Sequence, residues 1–263
     1  MIRLGLVGHP VAHSLSPVLQ RACGAACGID LCYDLFDVAP DALAAWLAGP
    51  AQHLDGFNVT APHKQAVFAR LTHVAPEARR LGAVNTVRRA GGIVWGHNTD
   101  LIGFTRFLGD AVPPTALVLG AGGAARAVVA ALGAAGVRPV VLARHPQQAR
   151  DLLASLQVDG TAAPWLEAGD HLRSAVLVVE ATGAAAAVAL PWHHLPPDAR
   201  VLALAYGTAA HPLVAAVQAA GRRVEDGLAM LAWQGLAAFH HWTGCAIEPH
   251  VAFAALSEAA RSV

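Results

Sequence analysis

Short apolar runs alternate with amphipathic stretches along the N-terminal part of the chain. Glycine, proline or polar residues bound each run, as is typical of buried strands, and Ser16 before Pro17 is a helix-start signal. Because helices that join successive strands act as crossovers, the β-α-β-α-β order predicts an α/β domain with a mostly parallel sheet. The predicted strands are residues 2–7, 31–36 and 56–59, and the predicted helices are 16–27 and 41–47.

Two further strand-like runs, 83–88 and 93–96, are separated by Gly91-Gly92 and predict a β-hairpin. The alternation begins again after Pro113-Pro114, so we place a domain boundary between residues 101 and 114. This second unit has the pattern of a Rossmann-like domain. Its predicted strands are 116–119, 139–143, 175–180, 201–205 and 223–224. Its predicted helices are one that follows residues 120–126 and ends at Gly136, and those at 147–156 and 212–220. Further helices are predicted at 101–108, 227–242 and 250–261.

The charge pattern indicates a small-molecule partner. The 18 basic and 18 acidic residues give a net charge of zero, and no block of like charge predicts a nucleic-acid or membrane surface. The longest apolar runs contain Arg126 or Glu180, which is typical of buried elements and not of membrane spans. Met1 leads directly into a predicted strand without the pattern of a secretory signal, so we expect a cytoplasmic protein.

The four cysteines show no metal-binding pattern. They form neither a CxxC pair nor the Cys/His spacing of a zinc site, so we expect no metal. Buried free thiols are the interpretation we favour for Cys23, Cys27, Cys32 and Cys245.

Lys64 is the only lysine in the chain, and all of the remaining residues counted as basic are arginines. It ends the segment 58–64, directly after a predicted strand, where ligands collect in parallel α/β sheets. A guanidinium stays protonated at any working pH, whereas a partly desolvated ammonium can exchange its proton. Lys64 is therefore a candidate for acid/base chemistry, and the alternative is a surface lysine without a function.

Asn85 and Asp100 carry polar groups at the ends of the predicted hairpin. Two roles are open for Asp100, which either caps the helix predicted at 101–108 or holds and tunes the Lys64 ammonium. Gln234 interrupts an apolar helical stretch one turn after Met230, and its amide is either solvated or binds a substrate hydroxyl. Met230 itself is a core residue by default.

Ser14 and Ser16 lie in the loop after the first predicted strand, close to the start of a helix. Two hydroxyls at a helix N-terminus can bind a carboxylate, which makes both serines candidate substrate ligands. Ser16 before Pro17 has the alternative role of a helix cap, and the residues alone leave both interpretations open.

Residues 120–126 fit the Gly-x-Gly-x-x-Gly/Ala pattern between a predicted strand and a predicted helix, the context that a dinucleotide site needs. Small residues there let the turn and the helix N-terminus approach a pyrophosphate closely. Arg144 ends the next predicted strand region, where NAD sites usually place an acidic residue. Its charge predicts NADP, and an exposed arginine without a ligand is the alternative.

These motifs together resemble the shikimate dehydrogenase family, and the resemblance runs from Gly8 to Gly244. It implies an NADP-dependent oxidoreductase that acts on a CH–OH group and interconverts 3-dehydroshikimate and shikimate in aromatic amino-acid biosynthesis. The matching segments are 8–17, 58–64, 82–86, 98–100, 120–126, 227–231, Gln234 and 242–244.

The resemblance also implies a role for each candidate residue. Lys64 and Asp100 would form the catalytic pair. The implied substrate ligands are Ser14, Ser16, Thr60, Asn85, Tyr206 and Gln234. The implied cofactor ligands are Gly120, Ala121, Gly122, Gly123, Ala124, Arg144, Gly227 and Met230.

In the fold of that family the last helices return to the first domain. The implied substrate-binding domain is therefore discontinuous, with residues 1–100 and 227–263, around an NADP-binding Rossmann-like domain of residues 101–226. We expect a monomer or a homodimer.

Several positions in the cofactor half differ from the family pattern, among them His145, Gln148 and Glu180. They leave NAD open as a cofactor, because a carboxylate near a dinucleotide disfavours its phosphates. They also leave two alternative functions open: a paralogue acting on quinate or another hydroxylated cyclic acid, and a non-catalytic nucleotide-binding regulator of the same fold.

Overall fold

The computed structural model describes residues 1–110 and 112–261, and these form two compact units. The first unit comprises Met1–Gly103 and the described residues from Leu231 onward, and the second comprises the described part of Phe104–Met230. The chain therefore leaves the first unit once and returns to it near the C-terminus.

In chain order the strands are β1 (Ile2–Gly8), β2 (Leu31–Asp37), β3 (Gly56–Val59), β4 (His73–Val74), β5 (Thr86–Ala90), β6 (Ile93–His97), β7 (Thr115–Leu119), β8 (Arg138–Ala143), β9 (Thr161–Pro164), β10 (Leu177–Glu180), β11 (Arg200–Ala203) and β12 (Arg223–Glu225). The helices are α1 (Ser16–Ala26), α2 (Leu43–Ala48), α3 (Lys64–Phe68), α4 (Pro76–Leu81), α5 (Asp100–Leu108), α6 (Gly123–Ala134), α7 (Pro146–Leu156), α8 (Ala168–Leu172), α9 (His211–Ala219), α10 (Leu228–Thr243) and α11 (Pro249–Arg261). Short 3-10 turns lie at Pro50–His53, Trp165–Glu167, Ala185–Ala187, Trp192–His194 and Gly207–Ala209.

The first unit contains a mixed six-stranded sheet with the order β2-β1-β3-β5-β6-β4. β1 pairs in parallel with β2 and β3, as the β-α-β-α-β pattern predicts, and β4 pairs in parallel with β6. The predicted hairpin is also present, because β5 pairs antiparallel with β6 and also with β3. As a result β1, β3 and β6 end, and β5 begins, at the same edge of the sheet.

The two C-terminal helices pack on this unit. The side chain of Gln20 in α1 donates from Nε2 to the main-chain oxygen of Gly235 in α10, at 3.0 Å. A Cβ atom at Gly235 would collide with the Leu19 side chain, so glycine is what permits this close approach. α11 packs against α1 through the buried residues Ala252 and Leu256 on its inner face.

The second unit contains an all-parallel six-stranded sheet with the order β12-β11-β10-β7-β8-β9. β7, β8 and β9 follow one another in one direction, and β10, β11 and β12 follow in the other. The order therefore reverses between β7 and β10, which is where doubly wound folds bind their ligands. This confirms the predicted α/β class with a Rossmann-like unit.

Two of the four cysteines do not match the expectation of free thiols. Cys27, just after α1, and Cys245, just after α10, form a disulfide across a sequence separation of 218 residues. No local pattern connects such distant positions, which is why the sequence did not indicate the bond. Cys23 and Cys32 are free, and burial raises the pKa of the Cys23 thiol to about 11, which keeps it unreactive near neutral pH.

Within residues 1–110 and 112–261, no helix combines the length and the hydropathy needed to cross a bilayer.

Two imidazole rings stack in the first unit. The rings of His97 in β6 and His241 in α10 lie 4.1 Å apart between centroids with an interplanar angle of 24°. His97 Nδ1 also lies 3.3 Å from Glu77 Oε1. Burial, followed by the charge of His97, lowers the pKa of His241 to about 4, with smaller effects from Glu77, which raises it, and from His240 and Arg88, which lower it.

We therefore expect His241 to lower the stability of the protein in mild acid. The unfolded chain binds a proton at this residue below about pH 6.5, whereas the folded protein binds it only near pH 4, so the free energy of unfolding falls in between. Replacing His241 with phenylalanine should reduce this decline by about 1 kcal/mol per pH unit, measured by urea unfolding. The same substitution at the exposed His250 is the control. If the free energy of unfolding of His241→Phe changes with pH in parallel with that of the wild type, the expectation is contradicted.

Candidate active site

Lys64 and Asp100 form a buried ion pair at one edge of the first unit's sheet. Lys64 is the first residue of α3, shortly after β3, and Asp100 is the first residue of α5, shortly after β6. Lys64 Nζ lies 2.6 Å from Asp100 Oδ2, and the two side chains are only 13% and 6% exposed. The single lysine of the chain is thus held against a carboxylate, in the geometry expected of a pair that shares or exchanges a proton.

The other oxygen of Asp100 is bound by Asn85. Asn85 Nδ2 donates to Asp100 Oδ1 at 2.8 Å, and the main-chain nitrogen of Thr99 donates to Asn85 Oδ1 at 2.7 Å. A main-chain N–H can only donate, so this contact fixes the orientation of the Asn85 amide. The carboxylate therefore presents Oδ1 to an amide and Oδ2 to the ammonium.

The start of α3 is anchored on both sides of Lys64. The main-chain oxygen of Lys64 accepts from Val84 nitrogen at 3.0 Å, and the buried His63 ring lies with Nε2 2.6 Å from Val38 oxygen. His63 was not a candidate in the sequence. The sequence feature that could have identified it is its position beside Lys64 in the matching segment 58–64.

Ser14 and Ser16 contact each other. The Ser14 hydroxyl donates to Ser16 Oγ at 3.1 Å and accepts from Ser16 nitrogen at 3.2 Å. The N-cap position of α1 is Leu15, which makes no side-chain capping bond, and Ser16 is already the first helical residue. Ser16 is therefore not the helix cap, and the two hydroxyls lie where the loop after β1 meets the start of α1.

Thr60 follows β3 and faces the same loop. Its main-chain nitrogen donates to Val7 oxygen at 2.9 Å, and its methyl group would collide with a Cβ atom at Gly8. Glycine at position 8 thus brings the ends of β1 and β3 together. Gln234 differs from the other candidates, because its Nε2 donates to Leu231 oxygen within its own helix at 2.9 Å.

The remaining candidates lie in the second unit, at the carboxyl ends of its parallel strands. Gly120, Ala121 and Gly122 connect β7 to α6, whose first two residues are Gly123 and Ala124. Gly120 has φ +111°, and a Cβ atom there would come within 3.0 Å of Thr182. Gly122, at the N-cap of α6, makes no side-chain bond, and an added Cβ would meet no atom within 4 Å. The start of α6 is thus open to a pyrophosphate, so these residues fit a dinucleotide.

Three further cofactor candidates follow other strands of this sheet. Arg144 is exposed directly after β8, and Met230, which is 8% exposed, lies in α10. Gly227 donates from its nitrogen to Ala205 oxygen at 2.9 Å, and a Cβ there would collide with Leu204 oxygen. Tyr206, the candidate substrate ligand of this unit, is half-buried after β11. Because all strands of this sheet are parallel, the ends of β7, β8, β11 and β12 lie at one edge.

Glu180, at the end of β10, is fully buried. Its Oε1 accepts from the main-chain nitrogen and the hydroxyl of Thr182, while its Oε2 has no hydrogen-bond partner within the part of the chain that the structure describes. Thr182 is also the residue that contacts the Gly120 turn. Glu180 therefore orders the loop that packs against the dinucleotide motif. Across the described ranges, no group of three or more His, Cys, Asp or Glu side chains could hold a metal ion.

A buried Lys–Asp pair in one α/β unit, combined with a dinucleotide motif at the reversal point of a parallel sheet in another, defines a two-domain, nucleotide-dependent dehydrogenase. Residues 6–87 match the family model of the shikimate dehydrogenase substrate binding domain. The chain is 40% identical to the shikimate dehydrogenase (NADP(+)) of a Thermus thermophilus strain, over 99% of this chain and 98% of that protein. It belongs to the shikimate dehydrogenase family, which confirms the resemblance found in the sequence.

Two other comparisons agree. The shikimate dehydrogenase (NADP(+)) of Moorella thermoacetica is 42% identical over 92% of this chain and 88% of that protein. The structure of a Thermus thermophilus shikimate 5-dehydrogenase in complex with NADP(H) and shikimate matches with a TM-score of 0.84 and 38% identity. That match covers 98% of this chain and all of the other.

Proposed function

We propose that this chain catalyses the reversible NADPH-dependent reduction of 3-dehydroshikimate to shikimate, in the cytoplasm and within aromatic amino-acid biosynthesis. The observation that carries the proposal is the 2.6 Å contact between Lys64 and Asp100, in a unit with the family's substrate-binding sequence pattern. In a reducing cytoplasm the Cys27–Cys245 pair would be held as two thiols.

The two units have different proposed roles, one in substrate binding and the other mainly in cofactor binding. The first, with the proposed bounds 1–100 and 227–263, contributes Ser14 and Ser16 to the substrate carboxylate and Thr60, Asn85 and Gln234 to its hydroxyls. The second, 101–226, binds NADP, and its Tyr206 adds a further contact to the substrate. Uncharged hydroxyls and amides suit this substrate because they donate to a carboxylate and also exchange hydrogen bonds with alcohol groups.

The Lys64 and Asp100 pair donates and accepts the proton that the reaction requires. Bound NADPH supplies the hydride that reaches the carbonyl carbon. In that direction the Lys64 ammonium gives one proton to the carbonyl oxygen, which becomes the hydroxyl. In the reverse direction the pair takes the hydroxyl proton. Asp100 Oδ1 stays bound to Asn85 throughout, so the carboxylate keeps its orientation when Lys64 changes charge.

Most of the proposed cofactor ligands lie in the second unit, and Gly227 and Met230 lie at the start of the segment 227–263. The turn from Gly120 to Ala124 and the N-terminus of α6 receive the pyrophosphate. Arg144 pairs with the 2′-phosphate, and Gly227 and Met230 lie on the nicotinamide side.

A spectrophotometric assay tests the proposal by pairing shikimate or quinate with NADP⁺ or NAD⁺. We expect the highest kcat/KM with shikimate and NADP⁺. A preference for quinate would identify a paralogue with another substrate. No absorbance change with any pair, in a protein that still binds NADP⁺, would identify a non-catalytic nucleotide-binding protein.

Replacing Arg144 with alanine is expected to raise KM for NADP⁺ about tenfold or more, because one charge-assisted contact to the 2′-phosphate is lost. KM for NAD⁺, which has no such phosphate, should stay within about twofold. Arg150, exposed on α7, is the matched control. Equal changes for the two cofactors would remove Arg144 from 2′-phosphate binding.

A further inference from the structure

A line of buried polar side chains runs through the first unit and ends at the Lys64–Asp100 pair. Its members are all buried residues: Tyr33, Asn58, Thr86, Asn85, Thr99 and Asp100. Tyr33 lies at the far end, on β2, in an apolar cluster with Leu4, Leu6 and Val11. A phenol hydroxyl in such surroundings needs a partner, and that partner is Asn58.

The hydrogen bonds of this line have defined directions. Tyr33 Oη donates to Asn58 Oδ1 at 2.7 Å. Asn58 Nδ2 is then left to donate to Thr86 Oγ1 at 3.0 Å and to the main-chain oxygen of Asn85 at 3.1 Å. Thr86 Oγ1 then donates its proton to Asn85 Oδ1 at 2.9 Å. Asn85 Oδ1 also accepts from the main-chain nitrogen of Thr99, so Asn85 Nδ2 is turned toward Asp100 Oδ1. Each amide is thus held by hydrogen bonds at both its oxygen and its nitrogen.

The line also ties together the strands that carry the pair. Asn58 lies on β3, and the chain leaving β3 leads to Thr60 and Lys64. Asn85 and Thr86 lie at the start of β5, next to the end of β6 that leads to Asp100. The Asn58 side chain bridges these two parts, so its orientation affects the distance between the ammonium and the carboxylate.

We propose that Tyr33 is a positioning residue for the acid/base pair, acting through Asn58, Thr86 and Asn85. Its hydroxyl fixes the Asn58 amide, and the amide holds the end of β3 against the start of β5. This role rests on the proposed proton transfer by Lys64 and Asp100. It is separate from the contribution of Tyr33 to core packing, because only the hydroxyl is required for it.

The test is Tyr33→Phe, which removes the hydroxyl and keeps the ring. We expect kcat for shikimate oxidation to fall about 5- to 20-fold, the size of one lost buried hydrogen bond, with KM for shikimate within about twofold. Thr243→Val is the matched control, because it removes a hydroxyl bond to Phe239 oxygen in the same unit. Both variants should lose some thermal stability, and only Tyr33→Phe should lose turnover.

A second readout does not depend on activity. Lys64 is the only lysine, so competitive labelling with trace acetic anhydride and peptide mapping reports its titration directly, with the Met1 amine as a separate signal. Looser contact with Asp100 stabilises the ammonium less, so the Lys64 midpoint should fall in Tyr33→Phe and stay unchanged in Thr243→Val.

The two readouts separate the possible failures. An inactive wild type in the shikimate assay would contradict the proposed function, and the labelling midpoint would still decide the role of Tyr33. An unchanged midpoint in Tyr33→Phe, or wild-type kcat with only a lower unfolding temperature, would overturn the positioning role. Asn58→Leu should show the larger effect, and in the double variant the two effects should be less than additive.

Discussion

Replacing Lys64 with alanine is expected to lower kcat for shikimate oxidation by about 10²-fold or more, the usual loss when an acid/base group is removed. A methyl group cannot take the proton of the substrate hydroxyl, and no second lysine is available. KM should change less, because the hydroxyls of Ser14 and Ser16 are untouched. Steady-state kinetics with NADP⁺ give both quantities.

Lys64→Arg is the matched control. The guanidinium keeps a positive charge beside Asp100 but does not release its proton, so we expect a similar loss of kcat. Its unfolding temperature should lie closer to the wild type than that of Lys64→Ala, where Asp100 loses its cation. Turnover of Lys64→Ala within a few-fold of the wild type would show that another group transfers the proton.

Replacing Asp100 with asparagine is expected to lower both activity and stability. The substitution keeps the shape of the side chain but leaves the Lys64 ammonium, 13% exposed, without its carboxylate. Breaking a buried pair in this way costs on the order of 3 kcal/mol of unfolding free energy. We expect kcat to fall about 10²-fold, because the lysine loses the partner that holds it and adjusts its proton affinity.

Two further variants check the origin of this effect. Asp41→Asn makes the same change at an exposed position of the same unit and should leave both quantities unchanged. In the Lys64→Ala, Asp100→Asn double variant the stability losses should be less than additive, because neither side chain then leaves a buried partner unpaired. Additive losses would mean that the pair does not interact in solution.

Much of the fold was predictable because its elements carry local signals. The hairpin turn at Gly91-Gly92, the helix start at Ser16 and the glycine-rich turn after β7 all lie where the sequence predicts them. The two-residue strand β4 and the strand β9 were not predicted. β4 is too short to show a period, and β9, which reads Thr-Ala-Ala-Pro, lacks the bulky apolar residues that indicate a strand.

The candidate site was predictable only in part, for a physical reason. The solitary Lys64 and the polar residues Asn85 and Asp100 differ from their surroundings, and the sheet brings all three together. Tyr33 and Asn58 give no comparable signal, because a tyrosine on an apolar strand is ordinary and its hydrogen-bond partner lies 25 positions away. The orientation of an amide in a buried network is a property of the assembled strands, not of the sequence pattern.

The Cys27–Cys245 bond closes a covalent ring that contains the whole stretch Phe104–Met230. A single cut by a protease inside that stretch would open the ring without releasing a fragment, since both pieces would remain joined through the two sulfur atoms. The cut protein would migrate as one species on a denaturing gel without reductant and as two after reduction. In the oxidised protein, backbone continuity through this stretch is thus not needed to keep both ends of the chain attached.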